Sequence, residues 1–377
     1  MLAWRSIPGY DPAPASRIRT IVQPGGRHPV SISVIVPARN EELKLAALLY
    51  SLTNQSYNRE YFEVIVVDDH STDNTAEVAR QFISSNVKLI QLKDHVIDAA
   101  LNSYKKKAIE IAIGQSKGSL IVTTDADCIV PENWLMTIAA FYEQYDPEFI
   151  VMPVSYNCRN NFLEIFQALD FMSLQGITAA SVHNNMLSMC NGANLAYTRK
   201  AFDAVGGFNG INNIASGDDM LLMHKIYKEY PQGIKYIHSE NVIVQTEAMH
   251  SWKDFFNQRI RWASKADKYD DKRIFWVLLM VYLFNCLLVA IPVIALFTNI
   301  QYSIFNIQFS PWIVWIKLLV LKTIVELIFI YPVAKFFDKQ RLLWYFPVAQ
   351  PFHILYTVIA GWLGKFGSYQ WKERKVK

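Results

Sequence analysis

The hydrophobic pattern of the chain changes character once. Between Ser31 and Val154, short β-branched runs recur: SISVIVP at 31–37, FEVIVVDD at 62–69, VKLIQL at 87–92, SLIVTTD at 119–125 and FIVMPV at 149–154. The spacing between them predicts helices from Glu41 to Leu52, Asn74 to Ile83 and Lys106 to Ile113, with another opening at Pro131. Continuous apolar strands interleaved with helices predict an α/β fold whose mostly parallel sheet is covered on both faces. Sheets of that kind bind ligands at the carboxyl ends of their strands. From Ile274 charges become sparse, and apolar stretches follow at 274–297, 312–337 and 342–363. The first is uncharged and longer than the roughly 20 residues that cross hydrocarbon, so a transmembrane helix is predicted there.

Composition sharpens this split. A hydrophobic share of 52% and a mean hydropathy of +0.11 are high for a soluble domain, so a lipid bilayer is an expected partner. The net charge of +4 is mild and does not predict nucleic-acid binding, so no nucleic-acid partner is expected. Cys128, Cys158, Cys190 and Cys286 are scattered, without Cys-x-x-Cys or a His at ligand spacing, so neither a zinc site nor a disulfide framework is expected. No apolar run near the N-terminus is long enough for an export signal. Basic residues precede the first apolar stretch (Lys265, Lys268, Lys272, Arg273) and lie between the second and third (Lys335 to Arg341), whereas 299–311 has none. The expectation is a multi-pass protein of the inner or plasma membrane with its large domain cytoplasmic.

Two details of the membrane region stay open. Lys322 and Glu326, one helical turn apart in the second stretch, can pair inside a bundle, or the segment lies partly in the interface with Lys317 and Lys322 snorkelling. Three full spans would leave the basic tail Lys372, Arg374, Lys375 and Lys377 outside. The third stretch, with Pro347, Gln350, Pro351 and His353, is therefore read either as a span or as a re-entrant or interfacial element. The expected organisation is an N-terminal extension at 1–30, a cytoplasmic domain at 31–250, an amphipathic interfacial helix at 251–273 and a membrane region at 274–377.

The strand ends carry the candidate chemistry. The first ends Pro37-Ala38-Arg39-Asn40-Glu41, with neither the glycine pattern of a dinucleotide fold nor that of a phosphate-loop NTPase. The second ends Asp68-Asp69, acids suited to a base N–H or a ribose hydroxyl, although Ser71 to Asp73 also suit a helix cap. The fourth ends Asp125-Ala126-Asp127. Residues i and i+2 of a strand share a face, so these carboxylates are expected to converge and to need a cation between them. Mg²⁺ or Mn²⁺ would supply it and would hold a substrate diphosphate; the alternative is a solvated turn. Farther on, Asp218 is read as a helix N-cap and Asp219 as a first-turn acid available as a general base. Ser251 and Asp254 have capping-box spacing. The helix they open has Trp252, Phe255, Phe256 and Ile260 on one arc and Gln258, Arg261 and Trp262 on the next, an amide, a guanidinium and an indole that suit a sugar and its phosphates. The bland alternative is an interfacial helix.

Together these residues resemble the family 2 glycosyltransferases, the membrane-bound inverting group that includes ceramide glucosyltransferases, cellulose synthases and hyaluronan synthases. Val-Pro-Ala-Arg-Asn-Glu at 36–41 looks like the opening nucleotide loop, Val-Asp-Asp at 67–69 like the first acidic site and Asp125-Ala126-Asp127 like the metal motif. Gly217-Asp218-Asp219 stands where the family has Glu-Asp, and Gln258 to Trp262 is its Gln-x-x-Arg-Trp. The resemblance covers roughly residues 31–265. It implies an α/β fold of the glycosyltransferase A type with C-terminal transmembrane helices. It further implies donor contacts from Pro37, Ala38, Arg39, Glu41, Asp69, Lys105 and Asp125, with Lys106 and Lys107 near enough to compete with Lys105. Asp127, with Asp125, would hold a divalent cation, Mg²⁺ or Mn²⁺. Asp219 would be the base, and Asp218, Gln258, Arg261 and Trp262 would face the acceptor and diphosphate. The implied reaction moves a sugar from a nucleotide-diphosphate sugar, by family default a UDP-sugar, to a hydroxyl of a lipid, lipid-linked or glycan acceptor. A processive polysaccharide synthase and a scaffold with a degenerate sugar-nucleotide domain are the alternatives. Two departures stand out: Asp218 replaces the family's Glu, and Met1-Leu2-Ala3-Trp4 looks like the tail of an N-terminal span that relatives carry, which implies a shortened start.

Overall fold

The computed structural model describes residues 2–12, 29–95, 103–187, 189–212, 214, 217–264, 272–297, 302–304, 307–366, 369–371 and 374–376. The basic residues Lys265, Lys268, Lys372 and Lys377, and Ala215 and Ser216 before the Gly217 motif, lie outside them. The chain divides into two compact units, one made of 2–157 with 177–247, the other mainly of 158–176 with 248–377.

The first unit is built on a seven-stranded sheet. Its strands are β1 (Ile32–Ala38), β2 (Phe62–Asp68), β3 (Val87–Gln91), β4 (Leu120–Thr123), β5 (Phe149–Val151), β7 (Leu195–Thr198) and β8 (Ile234–Tyr236), while β6 (Val154–Asn157) and β9 (Val244–Glu247) pair separately. The order across the main sheet is β3-β2-β1-β4-β7-β5-β8. β3, β2, β1 and β4 run parallel; β7 is antiparallel to both β4 and β5, and β8 is parallel to β5. The sheet is therefore mixed, with one reversed strand in an otherwise parallel array. Val34, Ile35 and Val36 of β1 and Val64 to Val67 of β2 are all fully buried. Both faces of the parallel half are covered, which is why these strands read as unbroken apolar runs.

The parallel register places Ala38 opposite Asp68, so the first two strands end together. Both chains then turn through left-handed residues, Asn40 at φ 52° and His70 at φ 54°. Asn and His tolerate that region better than β-branched residues do. The two loops are stitched to each other: Asn40 N–H donates to Ser71 Oγ at 3.0 Å and Thr72 N–H to Asn40 Oδ1 at 2.9 Å, while Glu41 N–H donates to Thr75 Oγ1 at 2.7 Å. Asp73 accepts from Thr75 N–H at 3.0 Å and from Glu42 N–H at 3.1 Å, so it ties the loops as well as serving the helix that follows. At the start of the chain, Trp4 is buried edge-on against His238.

The second unit is helical. It contains Trp252–Ala263, Lys272–Phe297, Pro311–Phe336 and Phe346–Phe366, together with the first part of the long helix Phe162–His183. Ser251 caps the first of these as its spacing predicts, accepting from Asp254 N–H at 3.1 Å and donating to Asp254 Oδ2 at 2.6 Å. Two helical segments, Lys272–Phe297 and Gln340–Lys365, are long and apolar enough to cross a membrane. Pro311–Phe336 carries Lys317, Lys322 and Glu326; Lys322 Nζ lies 2.7 Å from Glu326 Oε1 and 2.6 Å from Gln350 Oε1, so the buried ammonium is satisfied within the unit. Gly176 sits where the long helix passes Pro311–Phe336, and a Cβ there would meet Val333 at 2.8 Å.

Candidate active site

The first cluster lies at the joint end of β1 and β2. Asp69 follows the last residue of β2, and its N–H donates to Ala38 O at 2.7 Å, which carries the ladder one residue beyond the strands. Arg39 donates from Nη1 to the Asp69 carbonyl at 2.9 Å, with the Asp69 carboxylate at 3.9 Å. The same carboxylate meets His70 Nδ1 at 3.0 Å. Pro37 and Ala38 complete β1, and Glu41 opens the turn that follows. The acidic loop is thus a fixed, hydrogen-bonded shelf with a buried carboxylate held between an arginine and a histidine.

The second cluster is assembled around Lys105, in the first turn of the helix Tyr104–Gln115. Its ammonium lies 2.7 Å from Asp125 Oδ1 and 3.1 Å from Asp218 Oδ2. Burial opposes the charge, but the carboxylates of Asp125 and Asp218 outweigh it and hold the ammonium above the ordinary lysine range. The neighbouring lysines point elsewhere. Lys106 donates to the carbonyls of Ile211 and Ile214 at 2.9 and 2.5 Å, and Lys107 pairs with Glu110 at 2.7 Å. The ammonium of Lys105 thus lies between Asp125 and Asp218, a different pair of acids from the Asp125 and Asp127 for which a cation is expected.

Two sequence expectations are corrected at this point. β4 ends at Thr123, so Asp125 and Asp127 lie in the turn beyond it, and strand alternation does not set their directions. In addition, Asp219 rather than Asp218 is the N-cap of the helix Met220–Glu229, because its carboxylate accepts from Met220 N–H at 2.7 Å and its carbonyl accepts the first helical bond. Asp218, one residue earlier, is released to face Lys105.

Gly192, which the sequence reading passed over, joins these parts. Its N–H donates to Asp219 Oδ2 at 3.2 Å and its carbonyl accepts from Thr123 Oγ1 at 3.2 Å, linking the end of β4 to the candidate base. A Cβ at this position would come within 3.2 Å of Asp218 Oδ2 and 3.3 Å of Lys105 Nζ, so any larger residue would press on the pair and oblige it to shift by a few tenths of an ångström. Asn194, two residues on, is fully buried and binds Trp134 Nε1 and the carbonyls of Pro153 and Val242. The polar run Asn191 to Asn194 before a strand was the available signal.

A divalent ion finds hard oxygen donors here but no complete cage. Asp127 and Asp125 are partly exposed, and one oxygen of Asp125 is engaged by Lys105. Among the described residues no group of three or more His, Cys, Asp or Glu side chains is gathered for a metal. That donor set fits Mg²⁺ or Mn²⁺ in the mode that uses one or two carboxylates and completes its shell with phosphate oxygens and water. Next to Asp127, burial and then the charges of Asp127 and Asp125 push the Cys128 thiol up.

Gln258, Arg261 and Trp262 belong to the second unit, on the helix Trp252–Ala263. The buried residues of that helix are Phe255 and Arg259, i and i+4, so one residue of the apolar arc is buried together with an arginine from outside it. Arg259 Nη1 donates to Gln258 Oε1 at 2.7 Å, and its guanidinium lies 4.3 Å from the centre of the Trp262 ring.

The profile of glycosyl transferase family 2 matches residues 33–206, and that of glycosyl transferase family group 2 matches residues 120–330, more than half of the chain. The chain is 26% identical over 245 residues to a β-monoglucosyldiacylglycerol synthase of Nostoc sp., covering 62% of this chain and 48% of that one. A shorter stretch of 51 residues, 14% of this chain and 13% of the relative, is 59% identical to a 4,4'-diaponeurosporenoate glycosyltransferase of Staphylococcus haemolyticus. The chain spans about half or less of the length of the curated relatives it matches. Among solved structures, a mannosyltransferase from Pyrobaculum calidifontis in complex with GDP-Man and Mn²⁺ shares the fold, with TM-score 0.54 at 19% identity over 93% of this chain and 91% of that one. The two family profiles, laid over a mixed sheet of glycosyltransferase A type, establish that the chain belongs to the family 2 glycosyltransferases.

Proposed function

We propose that the chain transfers a sugar from a nucleotide-diphosphate sugar to a hydroxyl of a lipid or lipid-linked acceptor at a membrane, in one displacement with inversion at the anomeric carbon. The observation that carries this reading is the single ammonium of Lys105 shared by Asp125 and Asp218, with Asp219 fixed beside them through Gly192. This brings the acids of two separate motifs to one place at the carboxyl end of the sheet, where such folds bind nucleotides.

In this reading Asp69, backed by Arg39, receives the nucleobase, with Pro37, Ala38 and Glu41 shaping the loop around it. Lys105 and Asp125 hold the nucleotide and its diphosphate. Asp127, with Asp125, would hold a Mg²⁺ or Mn²⁺ ion, whose chemistry when bound is to neutralise the departing diphosphate. Asp219 accepts the acceptor hydroxyl proton as its oxygen bonds to the anomeric carbon and the bond to the diphosphate breaks on the opposite face. The two backbone N–H bonds on Asp219 fix its direction, one from Met220 and one from Gly192. Gln258, Arg261 and Trp262 serve the acceptor and diphosphate side. The relative that makes monoglucosyldiacylglycerol, and the two helical segments long and apolar enough for a bilayer, favour a lipid acceptor over a growing polysaccharide. Membranes incubated with a panel of nucleotide sugars and Mn²⁺, with products read by mass spectrometry, test this. One donor is expected to yield a glycosylated lipid, and the Asp219→Asn variant is expected to lose about 10²-fold or more of the rate while still binding donor.

One comparison favours a second acceptor. The 59% identical stretch belongs to an enzyme whose name specifies a carboxylate acceptor. A carboxylate carries no proton to remove, so with such an acceptor Asp219→Asn would keep most of its activity. The same variant therefore separates the two acceptor chemistries.

A further inference from the structure

The second unit contains a buried ion pair that the reaction sketched above does not use. Asp170, on the helix Phe162–His183, and Arg259 are each only 3% exposed in their side chains. Arg259 donates from Nε to Asp170 Oδ2 at 3.1 Å, and its Nη2 lies 2.8 Å from the same oxygen. The other carboxylate oxygen accepts from the Tyr356 hydroxyl at 2.5 Å and has His353 Nε2 at 3.7 Å. Asp170 is thus gripped from two further helices.

A buried ion pair is costly to assemble, and an apolar pair of similar volume would hold these helices as well or better. What an apolar pair would not do is reach the neighbours that Arg259 reaches. Its free arm, Nη1, donates to Gln258 Oε1 at 2.7 Å, and its planar face lies 4.3 Å from the centre of the Trp262 ring and 4.8 Å from that of Phe255. Phe171, next to Asp170, packs against Trp262 from the same helix, with ring centres 6.1 Å apart. Nε, the Nη1 arm and the flat face are all in use, and only arginine has all three. Arg261 differs: among the described residues its side chain has no hydrogen-bond or ion-pair partner. Of the three side chains on this helix assigned to the acceptor and diphosphate, Gln258 and Trp262 are held by Arg259.

We propose that Arg259, anchored by Asp170, is a positioning residue that sets the orientation of Gln258 and Trp262 for sugar transfer; this rests on the glycosyltransferase reading above. Arg259→Lys retains a cation for Asp170 but loses the free arm and the flat face. In the full chain in detergent, this variant is expected to unfold within a few degrees of the parent, to keep KM for the donor within about twofold and to lose about 10- to 100-fold in kcat, the scale of a small misplacement. Gln258→Ala alone should cost a similar factor, and the double variant little more than either, because both changes break one contact. Costs that multiply would show that Arg259 acts independently of Gln258, and the proposal would be overturned. Should Arg259→Lys fail to accumulate, Tyr356→Phe is read by the same cycle, since it leaves the ion pair and removes one grip on Asp170. A parent chain that transfers no sugar from any donor would dispose of the transfer reading alone. Hydrogen exchange then decides: Arg259→Lys should speed exchange of the amides at 258–262 and leave 272–297 unchanged, and no change at 258–262 would sink the positioning role.

Discussion

At the scale of single residues, the candidate site depends on which neighbour each charge meets rather than on how many charges are present. Lys105, Lys106 and Lys107 are adjacent in sequence, yet one meets acids, one meets backbone carbonyls and one meets a glutamate on its own helix. Asp218 and Asp219 likewise differ by one position, and that position decides which carboxylate caps a helix and which faces the ammonium. Lys105→Met removes the shared cation and leaves Asp125 and Asp218 to repel each other in a partly enclosed site. Transfer is expected to fall by about 10²-fold, the lower end of what a lost electrostatic contact costs. The Mn²⁺ concentration needed for half of the remaining activity should also fall, because the acids have lost their internal counter-ion. Titrating Mn²⁺ against initial rate checks both, and an unchanged midpoint would separate Lys105 from the ion's field.

At the scale of elements, the parallel half of the sheet is braced by one carboxylate. Glu63, on β2, accepts from Lys88 of β3 at 2.7 Å, from Ser33 Oγ of β1 at 2.8 Å and from the Lys117 N–H just before β4 at 2.5 Å. Burial opposes its charge, but Lys88, the Lys117 amide and Ser33 together hold the carboxyl below the usual 4.5. A folded-state value below the unfolded one stabilises above the unfolded value and is lost as pH falls through the folded one. Glu63→Gln should therefore lower the unfolding free energy by about 1–2 kcal/mol at neutral pH, the scale of a charged hydrogen bond. The difference should shrink as pH drops below about 4.5, and denaturant melts at two pH values measure it. The strands that Glu63 ties were legible because double-sided burial leaves an unbroken apolar run. β7 was not, since Leu195 to Thr198 is only four residues long and its place between β4 and β5 is a long-range pairing with no local mark. The helix at 252–263 was legible from its cap, but its buried face was not. An arginine in a helix reads as solvent-facing until Asp170, 89 residues earlier, is known to meet it. Gly192 escaped for a related reason: close approach is a property of what surrounds a glycine, and the sequence shows only the gap.

At the scale of the whole molecule, two helical segments are long and apolar enough to cross a bilayer. Lys272–Phe297 and Gln340–Lys365 qualify by length and apolarity, whereas Pro311–Phe336 fails on charge. Its buried charge is nevertheless met: Lys322 pairs with Glu326, and Gln350 from the neighbouring helix bonds to both. Ionisable residues tolerated in hydrocarbon are paired and turned inward in this way, so the middle helix is consistent with a crossing. Three crossings from a cytoplasmic start would put Lys335, Lys339 and Arg341 on the cytoplasmic side with Lys272 and Arg273, and the uncharged 299–311 connection outside. The prediction is that the chain stays with membranes through alkaline carbonate washing. Protease added to intact cells stripped of their walls should leave the sheet-bearing unit whole, and lysis should expose it to cutting. Substituting Lys322 by Glu, opposite the existing Glu326, should place two acids in the apolar region and sharply reduce the amount of chain retained in membranes; undiminished retention would argue that this helix lies at the interface instead.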